Sequence, residues 1–217
     1  MIISLVSLKG GAGKTTLSIN LAVAYAQTGA KVTLIDSDPN NQNALKWSGI
    51  RPQDKAQIVT VSLSDADALR NNINPINASC DIVIIDGTPA LAELTGTIML
   101  VSDLVLLPIR SSTFDYWAFN EQFLPTLKNV RSLKEIDCRI VLNAVRKRSV
   151  IGREVLDALE QYDIPIMNRK IGLRTVFENS PKYGLGVGEC DDNEAKFEIK
   201  MLQKAVHEIL TTKIVTA

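Results

Sequence analysis

Histidine is almost absent from this sequence, represented by His207 alone, and the three cysteines, Cys80, Cys138 and Cys190, lie far apart. Neither a zinc-ligand spacing nor an even disulfide framework can be drawn from them, which excludes a disulfide-stapled scaffold and suits a reducing cytoplasm. Cysteines this isolated are expected as small buried apolar side chains. An excess of charge is missing too. The 24 Lys and Arg residues balance 24 Asp and Glu, which excludes a wholesale binder of polyanions. No apolar run approaches the ~20 residues of a membrane-spanning helix. Met1-Ile2-Ile3-Ser4 leads straight into apolar sequence without a basic leader, so no signal peptide is expected. Aromatic residues make up only 5% of the chain; Trp117, Phe119 and Phe123 stand near helical spacing and are expected in the core.

What is present is apolar sequence in short bursts. With 217 residues, 46% of them hydrophobic, the chain can bury one substantial core, and residues 1–217 are read as a single domain. Strands are expected at Ile2–Ser7, Lys31–Asp36, Ile58–Val61, Asp81–Asp86, Leu104–Pro108, Cys138–Asn143 and Pro165–Met167. Runs such as Ile82-Val83-Ile84-Ile85 show no alternation, as in strands buried on both faces of a parallel sheet. Helical patterns fall between them, at Lys14–Gln27, Ser64–Asn72, Leu91–Val101, Asp115–Arg131, Ile151–Tyr162 and Asp192–Thr211. The alternation predicts an α/β fold: a doubly wound, mostly parallel sheet with helices on both faces and ligand at the carboxyl ends of the strands. Ser180–Asn193, with Gly184, Gly186 and Gly188, is expected to be loose surface chain.

Lys9-Gly10-Gly11-Ala12-Gly13-Lys14-Thr15-Thr16 follows the first apolar run and opens the first helix. Glycines there let successive backbone N–H groups from Gly10 to Thr16 converge on phosphate oxygens, and the helix N-terminus adds a favourable dipole. In such a loop Lys14 reaches the β- and γ-phosphates of a nucleoside triphosphate, and the Thr15 hydroxyl ligates Mg²⁺. Asp36-Ser37-Asp38-Pro39 closes the second strand, where an open sheet places functional groups. Asp36 is expected toward the metal shell. Asp38, on a loop stiffened by Pro39, can position or deprotonate an attacking water. A third carboxylate, Asp86, ends the strand Asp81–Asp86 and is expected to hold Mg²⁺ through a water or through Thr15.

The loop departs from Gly-x-x-x-x-Gly-Lys-Thr in one respect: Leu8 holds the place of the first glycine and Lys9 follows it. This Lys-Gly-Gly-x-Gly-Lys-Thr pattern resembles the deviant Walker A loop of the ParA/MinD family of dimerising ATPases. The resemblance implies ATP and Mg²⁺ as cofactors and a catalytic role for Lys9, which would cross a dimer interface to the phosphates held by the opposite subunit. Gly11 would then be small because the other subunit's backbone approaches there. Asp36-Ser37-Asp38-Pro39 is similar to the family's switch I, whose second Asp is linked to hydrolysis, although Asn40-Asn41-Gln42 stands where many relatives have Gln directly after Pro. Gly87-Thr88-Pro89 resembles switch II. Asn143, at its strand end, would read the adenine edge with its amide.

Positive charge is concentrated late: between Lys128 and Lys182 stand 12 Lys or Arg and 7 Asp or Glu. ParA-type dimers bind DNA without sequence preference through basic residues in this third. The resemblance therefore marks Arg146, Lys147, Arg148, Arg169, Lys170 and Arg174 as candidate DNA contacts. The function it implies is an ATPase that forms an ATP-dependent homodimer, binds non-specific DNA of the nucleoid and positions a cargo (a plasmid, a chromosome or a carboxysome-like microcompartment). A ParB-like or cargo-adaptor protein would stimulate its slow hydrolysis. Two alternatives are a membrane-cycling MinD-like ATPase and an ATP-dependent ligase of the dethiobiotin-synthetase kind. The first needs a basic amphipathic C-terminal helix, and residues 204–217 carry only Lys204 and Lys213, so a membrane partner is not expected. The second needs an acceptor pocket that no motif here specifies. Nitrogenase-iron-protein relatives are set aside because no cysteine pair is placed for an iron–sulfur cluster.

Overall fold

A computed structural model describes residues 1–7, 9–89, 92–110, 119–146, 162 and 164–216. The strands β1 (Ile2–Leu5), β2 (Val32–Asp36), β3 (Val59–Ser62), β4 (Ile82–Asp86), β5 (Leu104–Arg110) and β6 (Cys138–Asn143) form one sheet in the order β3-β2-β4-β1-β5-β6. Every neighbouring pair runs parallel. Successive side chains on a strand point to opposite faces, and the central strands are covered on both, so β1, β4 and β5 are largely apolar on both faces. Ile3, Leu5, Ile82, Ile84, Leu104 and Leu106 face a core built with α1 (Lys14–Ala26) and α7 (Asn193–Thr216). Ile2, Ile35, Val83, Ile85, Val105 and Leu107 face a second core with α3 (Ala66–Ser79), α4 (Ala92–Val101) and α5 (Leu124–Arg131). The expected doubly wound α/β sheet is the fold observed. Among the described residues no helix is long and apolar enough to cross a membrane.

Differences from the expected elements have local causes. Helix α3 is capped by Asp65, whose carboxylate accepts from the Ala68 N–H at 2.9 Å, and it runs past the expected end through Pro75 to Ser79. A proline frees the carbonyl four residues earlier; here that residue is Asn71, which is exposed. A short helix, α2 (Asn43–Gly49), was not expected, being too brief to show a period. The expected strand Pro165–Met167 is only a bridge between Ile166 and Ile140, after which the chain turns out into exposed Asn168-Arg169-Lys170. The expected helix Ile151–Tyr162 falls outside the described residues except for Tyr162, which lies in a turn. Phe119 and Phe123 are buried as expected, with ring centroids 5.8 Å apart, while Trp117 is outside the described residues.

One expectation is overturned. Ser180–Asn193 is not loose: it forms 3₁₀ turns at Ser180–Tyr183 and Val187–Glu189, and Val187 is fully buried. A Cβ on Gly184 would collide with the Arg51 backbone, and one on Gly186 would press on Val23. These glycines mark close approach of chain to chain.

Candidate nucleotide site

Strand β1 ends mid-sheet between β4 and β5, and the chain turns there through Lys9–Gly13 into α1. Gly11 and Gly13 hold φ of 76° and 98°, a region that glycine enters without a Cβ penalty. Gly13 is the N-cap of α1 and no side chain caps that helix, so the first N–H groups and the positive end of the dipole are left for a ligand anion. Lys14 is buried beside the loop, its Nζ donating to the Lys9 carbonyl at 3.2 Å. Burial lowers its pKa, against the pull of Asp86 and Asp38. A bound polyphosphate would favour its charged form.

The register of β2 and β4 pairs Asp36 with Asp86 at adjacent strand ends, and both are buried, 0% and 1% exposed. The Asp86 carboxylate accepts from the Ser18 hydroxyl at 3.2 Å and is hydrogen-bonded to Thr15 as well. Burial above all, with Asp36 beside it, raises its pKa to about 7 against the opposing effects of Thr15, Lys14 and Ser18. These oxygen donors fit a hard divalent cation. Among the described residues no cluster of three His, Cys, Asp or Glu side chains could hold a metal alone.

Asp36, expected toward the metal shell, stands beside Asp86, and each of its oxygens already accepts a loop amide. Oδ1 takes the Asp38 N–H at 3.1 Å and Oδ2 the Leu45 N–H at 3.0 Å, tying the loop to α2. Asp38 is turned onto its own loop. Its Oδ1 accepts from the N–H groups of Asn40 and Asn41 at 2.9 and 3.1 Å, and its Oδ2 from the Asn41 side-chain amide at 3.0 Å. Burial opposes its ionisation, but these bonds and Lys14 together hold its carboxyl below the usual range. Asn143, at the end of β6, donates from Nδ2 to the Ala12 carbonyl at 2.8 Å and braces the phosphate loop. A Cβ on Gly13 would overlap that amide.

The CobQ/CobB/MinD/ParA nucleotide binding domain family matches residues 3–187, a span that holds every one of these groups. The chain belongs to this family. Maintenance of carboxysome distribution protein A of Halothiobacillus neapolitanus is 30% identical over 188 residues, 85% of each chain. Sporulation initiation inhibitor protein Soj of Bacillus subtilis is 27% identical over 204 residues, 74% of this chain and 79% of that one. Among solved structures, apo McdA from Cyanothece superposes with a TM-score of 0.80 at 17% identity, over 94% of this chain and 98% of that one. MinD of Pyrococcus horikoshii, solved with Mg-ADP, superposes with a TM-score of 0.77 at 19% identity over 96% of each chain. At such identities the structures speak for the fold.

Within this CobQ/CobB/MinD/ParA domain the basic candidates separate. Arg146, Arg169 and Lys170 are exposed and line one groove, of about 590 Å³, against α7. Lys147 and Arg148 lie outside the described residues. Arg174 lines the same groove but is committed within the chain, its guanidinium reaching Glu194 at 2.6 Å and Glu198 at 2.8 Å. Hydrogen bonding to Glu198 above all, with Glu194 adding to it, raises its pKa against the opposing effect of burial. Arg174, expected as a candidate DNA contact, is thus paired with two carboxylates of α7. A signal was present: Glu194 and Glu198 stand four apart and share one face of α7. Sequence reasoning also missed Ser18, which supports Asp86, and Asn20, which joins the Thr16 carbonyl to the Val187 N–H, both at 2.7 Å. Both are short polar residues inside an apolar helix, where burial implies a partner.

Proposed function

We propose that the chain is a ParA-type ATPase: two copies close around ATP, the closed dimer binds DNA without sequence preference, and slow, partner-stimulated hydrolysis reopens it. The observation that carries this reading is the open front of the phosphate loop. A side chain at Gly10 would meet nothing within 4 Å, and Gly10 does not sit at a φ that calls for glycine. Among the described residues no contact accounts for a bare residue next to Lys9. A second subunit's backbone seated against the loop does. Like charges on Lys9 and Lys14 repel unless polyphosphate neutralises both. Lys9 reaching the opposite subunit's phosphates, with Lys14 on its own, puts ATP between the subunits.

In this reading Gly10, Gly11, Ala12, Gly13, Lys14, Thr15 and Thr16 cradle the phosphates, and Thr15 and Asp86, with Asp36 beside them, hold Mg²⁺. The cation when bound supplies neutralisation of phosphate charge. Asp38, released from Asn40 and Asn41, orients and deprotonates the attacking water. Asn143 turns its amide to the adenine edge. Arg146, Arg169 and Lys170, with Lys147 and Arg148, meet DNA phosphates. Dimerisation brings two such patches together, which raises avidity without new contacts.

Relatives named for carboxysome distribution and for chromosome partitioning support a positioned cargo, a microcompartment or a chromosome. A plasmid as a further cargo, a ParB-like or adaptor protein as the stimulating partner, and the cytoplasmic nucleoid as the place complete the proposal. Binding to non-specific duplex DNA across a salt series, with and without ATP and with anionic liposomes as control, tests the reading. Binding that needs ATP, weakens log-linearly with salt and spares liposomes is expected. ATP-dependent capture by liposomes would replace it with a MinD-like cycle. Turnover on neither surface would favour a ligase.

A further inference from the structure

A narrow cleft opens beside the phosphate loop on its β5 and β6 side. Its walls include Thr16 in the first turn of α1, Arg110 at the end of β5, Asn143 at the end of β6, and Glu178 on the short helix α6 (Thr175–Asn179). Arg110 and Asn143 are register partners, so adjacent strand ends place a guanidinium beside the amide that braces the loop. Arg110 and Glu178 are both exposed, and among the described residues neither has a hydrogen-bond or ion-pair partner. Arg174, also on the wall, is taken up by Glu194 and Glu198 and does not neutralise Glu178.

A cation and a carboxylate thus share one cleft unpaired. A ligand bridging them must offer an anion to Arg110 and hydrogen-bond donors to Glu178. A nucleoside phosphate has both, in a fixed order. Its α-phosphate follows the phosphates held by Lys14 and falls next to Thr16, where guanidinium binding is strong and bidentate. The sugar comes next, and its hydroxyls donate to a carboxylate that would repel any phosphate.

We propose that Arg110 and Glu178 contact the nucleotide directly, Arg110 at the α-phosphate and Glu178 at the ribose hydroxyls, so that Glu178 sets a preference for ribose over deoxyribose. This assignment rests on the ATP-binding reading above.

Isothermal titration calorimetry of the full chain with Mg-ATP, 2′-deoxy-ATP and 3′-deoxy-ATP tests it. Wild type is expected to bind at least one deoxy analogue about tenfold more weakly than ATP, the loss of a charge-assisted hydrogen bond. Glu178→Ala should erase that ratio by weakening ATP while leaving the analogue unchanged. Arg110→Ala should weaken all three by about tenfold and keep the ratio, with Arg110→Lys recovering part of the loss. Both side chains are exposed, and circular dichroism melts matching wild type would show the variants folded. A wild-type ratio near one, a ratio that survives in Glu178→Ala, or an Arg110→Ala that binds like wild type overturns the assignment while ATP binding stands. Failure of wild type to bind ATP at all overturns the parent reading and this one with it.

Discussion

Arg51 and Glu189, 138 residues apart, form a bidentate ion pair at 2.8 and 3.1 Å with side chains only 2% and 5% exposed. Arg51 also donates to the carbonyls of Ala56 and Gly184 and lies over the Trp47 ring at 5.0 Å, while Glu189 accepts the Gly186 N–H. Residues 184–189 are thereby pinned to α2, and through Asn20 to α1. Glu189→Ala leaves a buried guanidinium without its counter-charge and is expected to destabilise the fold by about 3–5 kcal/mol. Urea unfolding followed by circular dichroism measures this. A loss below about 1 kcal/mol, the worth of an exposed pair, would mean that water already reaches Arg51.

The sheet, the phosphate loop and its carboxylates can be read from the sequence because each is written locally. Ile82-Val83-Ile84-Ile85 is a run, Gly13-Lys14-Thr15 a spacing, and Asp86 a strand terminus. Partnerships across the fold leave no such trace. Gly184, Gly186 and Gly188 look like slack when read in order, yet in space they let the chain approach Arg51, Val23 and Gln27. Asn143 reads as a free strand-end amide, but its acceptor, the Ala12 carbonyl, lies 131 residues earlier. Arg174 reads as free charge until α7 brings up its two glutamates.

Asn143→Ala removes the donor to Ala12 and leaves that buried carbonyl unpaired. The nucleotide-free protein is expected to lose about 1–3 kcal/mol for this unsatisfied group. Since no ligand is present, chemical denaturation reports the brace separately from any contact with a base. An unchanged midpoint and slope would show that the loop holds its shape without Asn143.

Cys138 is fully buried, and burial pushes its thiol up to about 12 from an ordinary 9.0. A raised pKa means that the folded state favours the neutral thiol. The stability this confers is complete below pH 9 and is lost as the pH climbs through the folded value. Iodoacetamide at pH 8 is therefore expected to label Cys138 only through unfolding, at a rate that rises with urea. Peptide mass mapping distinguishes it from the half-buried Cys80 and Cys190. Prompt labelling in native buffer would contradict the packing of β6.

Asp38→Ala is expected to form the ATP dimer yet fail to turn over, because it removes the carboxylate that in this reading orients and deprotonates the attacking water. Normal steady-state hydrolysis in this variant would remove Asp38 from the mechanism. The same substitution deletes the acceptor for two backbone amides, a loss of about 1 kcal/mol by analogy with helix caps. Here the sign with pH follows from the depressed folded pKa. That stability is present above the ordinary carboxylate value of 3.8 and disappears as pH falls through the folded one. Wild type and variant should therefore converge in stability under strong acid and differ at neutral pH, as thermal melts across pH would show.

Lys9→Ala and Gly10→Ala probe the same surface from opposite directions. Removing the Lys9 ammonium should abolish ATP-dependent dimerisation while the monomer still binds ATP through Lys14 and the loop amides; light scattering with and without ATP reads the first, and calorimetry the second. Unchanged dimerisation would leave Lys9 without a role across the interface. Adding a Cβ at Gly10 costs the monomer little, since nothing lies within 4 Å of it, so melting and ATP binding should match wild type within about 0.5 kcal/mol. If another backbone seats against the loop, that one carbon obstructs it and the dimer weakens. A Gly10→Ala protein that dimerises normally would mean that the space in front of the loop stays empty, and the argument for ATP held between two subunits would lose its physical basis.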